Sequence, residues 1–218
     1  MKKGLFIYLM TSAICLANVN VDTVQKSNKS EKYTYNFQYP KVTFKGKEIA
    51  LNKEVENIVN QNINGLVKDS QKNPYKDMPY EGESIYKEYK NNFGVTSILD
   101  MTYIYTGGNH GTTGLMSYNI LNSTGKVLTF NDIFKPGTKK FLEREIIKAI
   151  KNNVKTLGDE SPYFKEMSTR TTDIDNAVFF FRGNDLVIRY QEYAIAPHSS
   201  GTPEFEFSKE MLKDYLKI

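Results

Sequence analysis

Val95-Thr96-Ser97-Ile98-Leu99-Asp100-Met101-Thr102-Tyr103-Ile104-Tyr105 is followed by a second strand-like run, Gly114 to Asn122, and by the turn Asn122-Ser123-Thr124-Gly125. Ile98, Met101, Tyr103 and Tyr105 suit a pleated, half-buried surface. The Asn-Ser-Thr-Gly tetrapeptide is hairpin chemistry, since Asn and Gly accept the backbone angles that a tight reversal needs. Val127 to Phe130 reads as the returning strand. Strands joined this closely pair antiparallel, and this stretch therefore decides the fold class: α+β, with antiparallel sheets and helices packed on one face.

Working outward, Ser84 to Asn92 is a further strand. Tyr33-Thr34-Tyr35-Asn36-Phe37-Gln38-Tyr39-Pro40 alternates aromatic and polar residues, and Pro40 predicts a strand end or an edge. Between them Val55, Ile58, Val59, Ile63, Leu66 and Val67 recur at helical spacing behind Asn52, a candidate N-cap. Lys72 to Gly82, with Pro74 and Pro79, reads as a loop. A second helix is predicted over Thr138 to Thr156, on the stripe Phe141, Leu142, Ile146, Ala149, Ile150 and Val154, and Gly158 stops it. A helical turn is expected over Pro162 to Met167. Ala177 to Phe181 and Leu186 to Tyr190 form a strand pair about Gly183-Asn184-Asp185. Phe205 to Phe207 adds a strand, and Lys209 to Leu216 a short helix. No βαβ alternation and no repeat is legible.

The N-terminus reads as an export signal. Lys2 and Lys3 precede the apolar run from Leu5, and Ala17 suits a signal-peptidase cut. The run is shorter than the roughly 20 residues a spanning helix needs. Three fates stay open: cleavage near Ala17, lipidation at Cys15, and an uncleaved anchor, the latter two being the routes to a membrane. Residues 1–17 are thus expected to be a signal, 18–32 a polar flexible tether, 33–105 an N-terminal subdomain and 106–218 a C-terminal one. The protein is expected to act outside the cytoplasm, secreted or tethered at the surface. Cys15 is the sole cysteine, so the chain downstream of it forms no disulfide and carries no thiolate zinc site. The net charge of +4 includes Lys2 and Lys3 and is spread without a long basic run, which argues against nucleic acid as partner.

Chemistry, if present, lies in two glycine-containing loops that hold the two histidines. In Thr106-Gly107-Gly108-Asn109-His110-Gly111 the glycines suit a tight strand connection needing positive φ. They match neither a P-loop nor a Rossmann turn. The second loop is Tyr193-Ala194-Ile195-Ala196-Pro197-His198-Ser199-Ser200-Gly201, where Pro197 fixes a turn. A metal site from His110, His198 and a carboxylate such as Glu204 is one reading, and a metal-assisted hydrolase is its consequence. Ser199 and Ser200 lack a nucleophile-elbow pattern. Fifteen tyrosines and thirteen phenylalanines without tryptophan supply amphipathic rings, which suit sugar or protein recognition as well as sheet packing.

These loops also carry a family likeness. Tyr105 to Gly111, Tyr118-Asn119, Gly125-Lys126-Val127-Leu128, Asp132-Ile133-Phe134 and Glu192 to Gly201 resemble, in order and spacing, the extracytoplasmic domain of RsiV-type anti-sigma factors and of PdaC-type peptidoglycan deacetylases. Tyr39-Pro40-Lys41-Val42 and the helix from Asn52 resemble the companion subdomain that precedes it. The resemblance implies recognition without catalysis and without a cofactor or metal, with lysozyme or peptidoglycan as ligand. Tyr105, Gly107, Gly108, Asn109, His110, Tyr193, Pro197, His198, Ser199 and Ser200 are its candidate contacts. Only Met1 to Gly4 precede the apolar run, and no deacetylase domain follows Leu216. The expected form is therefore a standalone exported binding module.

Overall fold

The computed structural model describes residues 18–73, 78–168 and 173–218. The signal reading falls on residues 1–17, outside them. Two sheets organise the chain. The first contains β1 (Val19–Lys29), β2 (Tyr33–Phe44), the two-residue β3 (Lys47–Glu48), β4 (Tyr80–Tyr89), β5 (Val95–Tyr105) and β6 (Thr112–Leu121), with α1 (Leu51–Ser70) between β3 and β4. Its order is β1-β2-β4-β5-β6, with β3 on β2. The second sheet, β7 (Ala177–Arg182), β8 (Asp185–Tyr190) and β9 (Glu204–Ser208), is a three-stranded antiparallel meander. Two helices precede it, α2 (Phe130–Ile133) and α3 (Thr138–Leu157), and α4 (Lys209–Leu212) follows it. The α+β class is as expected.

Each long helix covers the sheet that its apolar stripe matches. Leu51, Val55 and Val59 of α1 pack on Phe37, Tyr39, Ile98, Tyr118 and Ile120. Leu142, Ile146 and Ile150 of α3 pack on Phe181, Leu186, Ile188 and Phe207. Burying a side chain of this size stabilises by about 1.5–3 kcal/mol, and the two stripes therefore anchor two separate cores. Between the sheets lies a smaller apolar contact, Leu99 with Phe180 and Val187.

A polar seam completes that junction. The Ser97 hydroxyl donates to Asn119 Oδ1 at 2.7 Å and accepts the Phe181 N–H at 3.0 Å. The Asn119 amide and the Ser117 hydroxyl both donate to the Phe179 carbonyl, at 2.9 and 2.7 Å. The free edge of β7 is thus satisfied by side chains of β5 and β6, as buried backbone groups require.

Several local expectations need correction. Residues 18–32 are no tether: β1 pairs with β2 along its whole length, from Val19 opposite Phe44 to Lys29 opposite Thr34. As an edge strand it exposes most of its side chains, so its composition is polar. Pro40 lies inside β2, beyond the β2–β4 pairing of Tyr33–Phe37 with Tyr80–Ser84, where its missing N–H costs that ladder nothing. That pairing is parallel with α1 as the crossover, so a βαβ unit is present after all. Asn52 does not cap α1. Its amide accepts the Val42 N–H at 2.8 Å and donates to the Val42 carbonyl at 2.9 Å, clasping the helix to β2. Val127 to Phe130 makes one bridge, Ile120 to Val127, and no strand. A capping box takes over there: Thr129 accepts the Asp132 N–H and Asp132 accepts the Thr129 N–H, starting α2. Lys126 and these bonds hold the Asp132 carboxyl well below the usual carboxylate range. The turn near Pro162 is a short 3-10 segment, Lys165–Ser168. The expected boundary at 105/106 falls inside the β5–β6 hairpin, whose register runs from Val95–Leu121 to Ile104–Thr112, so the first sheet is one unit through Leu121.

Candidate functional site

The two glycine-containing loops meet at the connecting end of the β5–β6 hairpin. In the first, Gly107 and Gly108 have φ of 95° and 90°, the left-handed region that favours glycine. The Tyr105 hydroxyl donates to the Gly108 carbonyl at 3.0 Å, and the Gly111 N–H donates to the Tyr103 hydroxyl at 3.0 Å. A Cβ on Gly111 would stand 2.4 Å from the Tyr103 ring. The loop is therefore laid against two tyrosines of β5, and glycine at 111 is what lets it lie so close.

The second loop begins with a clasp on the free edge of β6. Gln191 Oε1 accepts the Leu115 N–H and its amide donates to the Leu115 carbonyl, at 2.9 and 2.8 Å. Glu192 Oε2 accepts the Thr113 N–H at 2.9 Å. Two side chains thereby complete an edge that no strand pairs with, and they fix where the following residues emerge. The return is pinned by Ser200, whose hydroxyl donates to the Pro162 carbonyl at 2.9 Å, and by buried Ile195 and Ala196.

The histidines stack where the loops touch. The His110 and His198 ring centroids are 3.9 Å apart with planes 13° from parallel. His110 Nδ1 lies 2.9 Å from the Gly111 carbonyl, which only accepts, so Nδ1 carries the proton. Its Nε2 shares a hydrogen bond with the Tyr193 hydroxyl at 3.2 Å. His198 Nδ1 is buried 3.0 Å from Glu192 Oε1 but outside hydrogen-bond geometry, and the Glu192 side chain is only 6% exposed. Tyr193 itself is 47% exposed and holds φ of 63°, rare and strained for a residue with a side chain. The ridge is thus an imidazole pair backed by a buried carboxylate, with one ring projecting into solvent.

Of the expected contacts, His110, Tyr193 and His198 come together directly. Tyr105, Gly107 and Gly108 shape the first loop, and Asn109 is exposed on it. Pro197, Ser199 and Ser200 belong to the 3-10 turn that carries His198, where Ser200 is committed to Pro162. Glu204 does not join the histidines; it pairs with Arg182 and Arg189, at 2.8 and 3.2 Å. Convergence meets the first demand of a shared metal site, but the stacking defeats the second. Imidazole donates its lone pair in the ring plane, and one ion cannot lie in two parallel planes this far apart. Among the described residues no group of three or more His, Cys, Asp or Glu side chains is placed to hold a metal.

Gln191 and Tyr103 act in the site yet lie outside the motifs read from the sequence, and Glu192 lies inside one without showing its role, which like that of Gln191 depends on β6 being an edge. Beside the ridge runs a groove of about 400 Å³ whose walls include Met78, Glu81, Tyr103, Tyr105 and His110. A more enclosed recess of about 450 Å³ lies away from it, between Phe130, Lys139 and Phe179. Lys139 there is engaged by Asp173 and Asp175.

Fold and site together define a two-sheet α+β domain with a two-loop aromatic ridge at one end. Residues 131–210 match the family described as protein of unknown function DUF3298, and residues 26–113 match the family described as deacetylase PdaC. The family likeness read from the sequence is borne out. Two crystal structures share the fold. A DUF3298 family protein from Pseudomonas aeruginosa PAO1 aligns over 91% of this chain and 94% of its own, at 17% identity and a TM-score of 0.57. A member of the same family from Bacteroides fragilis NCTC 9343 aligns over 93% and 95%, at 17% identity and a TM-score of 0.53. No curated protein matches the chain.

Proposed function

We propose that this protein is an exported binding module of a bacterial cell envelope, and that the two-loop ridge recognises lysozyme-like protein or cell-wall glycan. The signal-like residues 1–17 and the likeness to envelope proteins support the location. One observation carries the rest. Loops some eighty residues apart converge into an exposed ridge that rests on the Gly111 carbonyl under His110 and has the buried Glu192 carboxylate close behind His198. Pre-positioned aromatic groups at a surface lower the ordering cost of binding. The stacked rings favour this reading over metal-assisted hydrolysis.

The test offers the purified protein to immobilised lysozyme and to insoluble peptidoglycan. Saturable retention on at least one is expected, weakened about tenfold or more by Tyr193→Ala, as for an interface anchor. No retention on either sinks the proposal.

A further inference from the structure

We infer that the outward face of α3 is a docking row for a linear phosphodiester polyanion. At about 100° per residue, Lys140, Arg144, Lys148, Lys151 and Lys155 fall within an arc about 80° wide, opposite the buried stripe of Leu142, Ile146 and Ile150. No other side chain of the helix shares that arc, and all five are exposed. Along the axis they are stepped by about 4.5–6 Å and span about 22 Å. The acidic residues of α3 sit on its flanks. Glu143 lies 3.9 Å from Lys139, and Glu145 lies 3.1 Å from Arg144 and 3.9 Å from Lys148. Among the described residues Lys140, Lys151 and Lys155 have no ion-pair partner.

A solvated helix face has no need of such a row, as α1 demonstrates. Its core positions Leu51, Val55 and Val59 match Thr138, Leu142 and Ile146 in spacing, and its outward positions then hold Lys53, Asn57, Gln61, Asn64 and Lys68. Amides fill the middle of that face, where α3 has Arg144, Lys148 and Lys151. Like charges three or four residues apart weaken a helix. Lys140 adds to this, standing in a first turn that holds no acidic residue, at the positive end of the helix dipole. Repulsion kept along one arc is explained when a polyanion lies on it.

The shape of the charge selects the partner. A membrane calls for positive charge spread over a plane, or for apolar side chains that enter it. Here the cations stand in single file, and the apolar stripe of α3 is committed to the core. A single-stranded nucleic acid calls for rings on which its bases stack. Phe141, on the flank of the arc, already stacks on Tyr215 at 4.2 Å. A chain of phosphodiesters without bases meets neither objection, and repeat units of three carbons set its charges at a step close to that of the row.

The experiment titrates poly(glycerol phosphate), which carries one phosphodiester per three-carbon unit, into the full chain at low salt and follows the heat. Saturable binding is expected, weakening as salt rises because counterions are released from the polymer. The triple variant Arg144→Gln, Lys148→Gln, Lys151→Gln gives α3 the amide middle of α1. It should weaken binding about tenfold or more and flatten the salt dependence by about three-fifths. Its thermal midpoint should stay within a few degrees of the parent, since repulsion is relieved. Lys53→Gln with Lys68→Gln takes two charges from α1 and should change affinity by less than about twofold. Absence of saturable binding overturns the row, as does undiminished binding in the triple variant or an equal loss from the α1 pair. So does a third result, in which vesicles of phosphatidylglycerol and phosphatidylcholine in equal parts capture the parent but not the triple variant and the free polymer goes unbound; the face then reads a membrane.

Discussion

On β5, Ile98 turns toward α1 and packs among Val55, Val59 and Ile120, whereas Ser97, its neighbour, turns toward β7 and is held by hydrogen bonds to Asn119 and Phe181. Both are fully buried. The first junction is cohesive without being directional, since apolar burial tolerates sliding. The second is directional, since each bond has one geometry. The helix is thus attached by area and the second sheet by register. Asp100 breaks the pattern. It lies on the helix side, 2% exposed, and its Oδ1 has no hydrogen-bond partner. Burial pushes its carboxyl up to about 7, from 3.8.

The contrast is most exposed to Asn119→Leu. That change fills the space but removes the acceptor of Ser97 and a donor to Phe179. It should cost about 3 kcal/mol, because buried polar groups are left unmatched. Urea unfolding measures it, and a near-neutral result would mean that the seam is as non-directional as the helix contact.

Asp100→Asn probes the exception. The folded chain keeps a proton that the unfolded chain releases near pH 4. Stability is therefore complete below about pH 4, falls as pH rises through 7, and stays low beyond it. The variant should be more stable than the parent by on the order of 2 kcal/mol at pH 8, with little difference near pH 4. A gap independent of pH would show that Asp100 is not the titrating group. The mildest case is Ser117→Ala. Phe179 keeps its bond from Asn119, so about 0.5–1 kcal/mol is expected. A loss equal to that of Asn119→Leu would place the weight of the seam on Ser117.

Reading the residues in order recovers whatever is written in local periodicity. The stripe from Phe141 to Val154 yields α3, and the run Val95 to Tyr105 is β5 as it stands. What escapes is written in partners. β1 looks like a linker because an edge strand has little to bury. Asn52 looks like a cap because nothing local shows that Val42 lies beside it. The parallel pairing of β2 with β4 leaves no mark on either strand alone. The capping box at Thr129-Phe130-Asn131-Asp132 was legible, though the apolar run Val127-Leu128 masked it. At the site, the two histidine loops declare themselves by composition. The roles of Glu192 and Gln191 do not, because their task is set by the unpaired edge of β6, at Thr113 and Leu115, 79 and 76 residues earlier in the chain.

The seam between the sheets has a consequence for variation. Ser97, Ser117 and Asn119 touch only the main chain of β7, at Phe179 and Phe181. Every residue except proline presents the same main-chain groups there. The grip is therefore blind to what β7 spells, and the strand is free to change its side chains, within the volume its core allows, without losing its seat. A slip of one residue would turn those groups to the other side and release every bond at once. The joint is lenient toward substitution in β7 and intolerant of insertion.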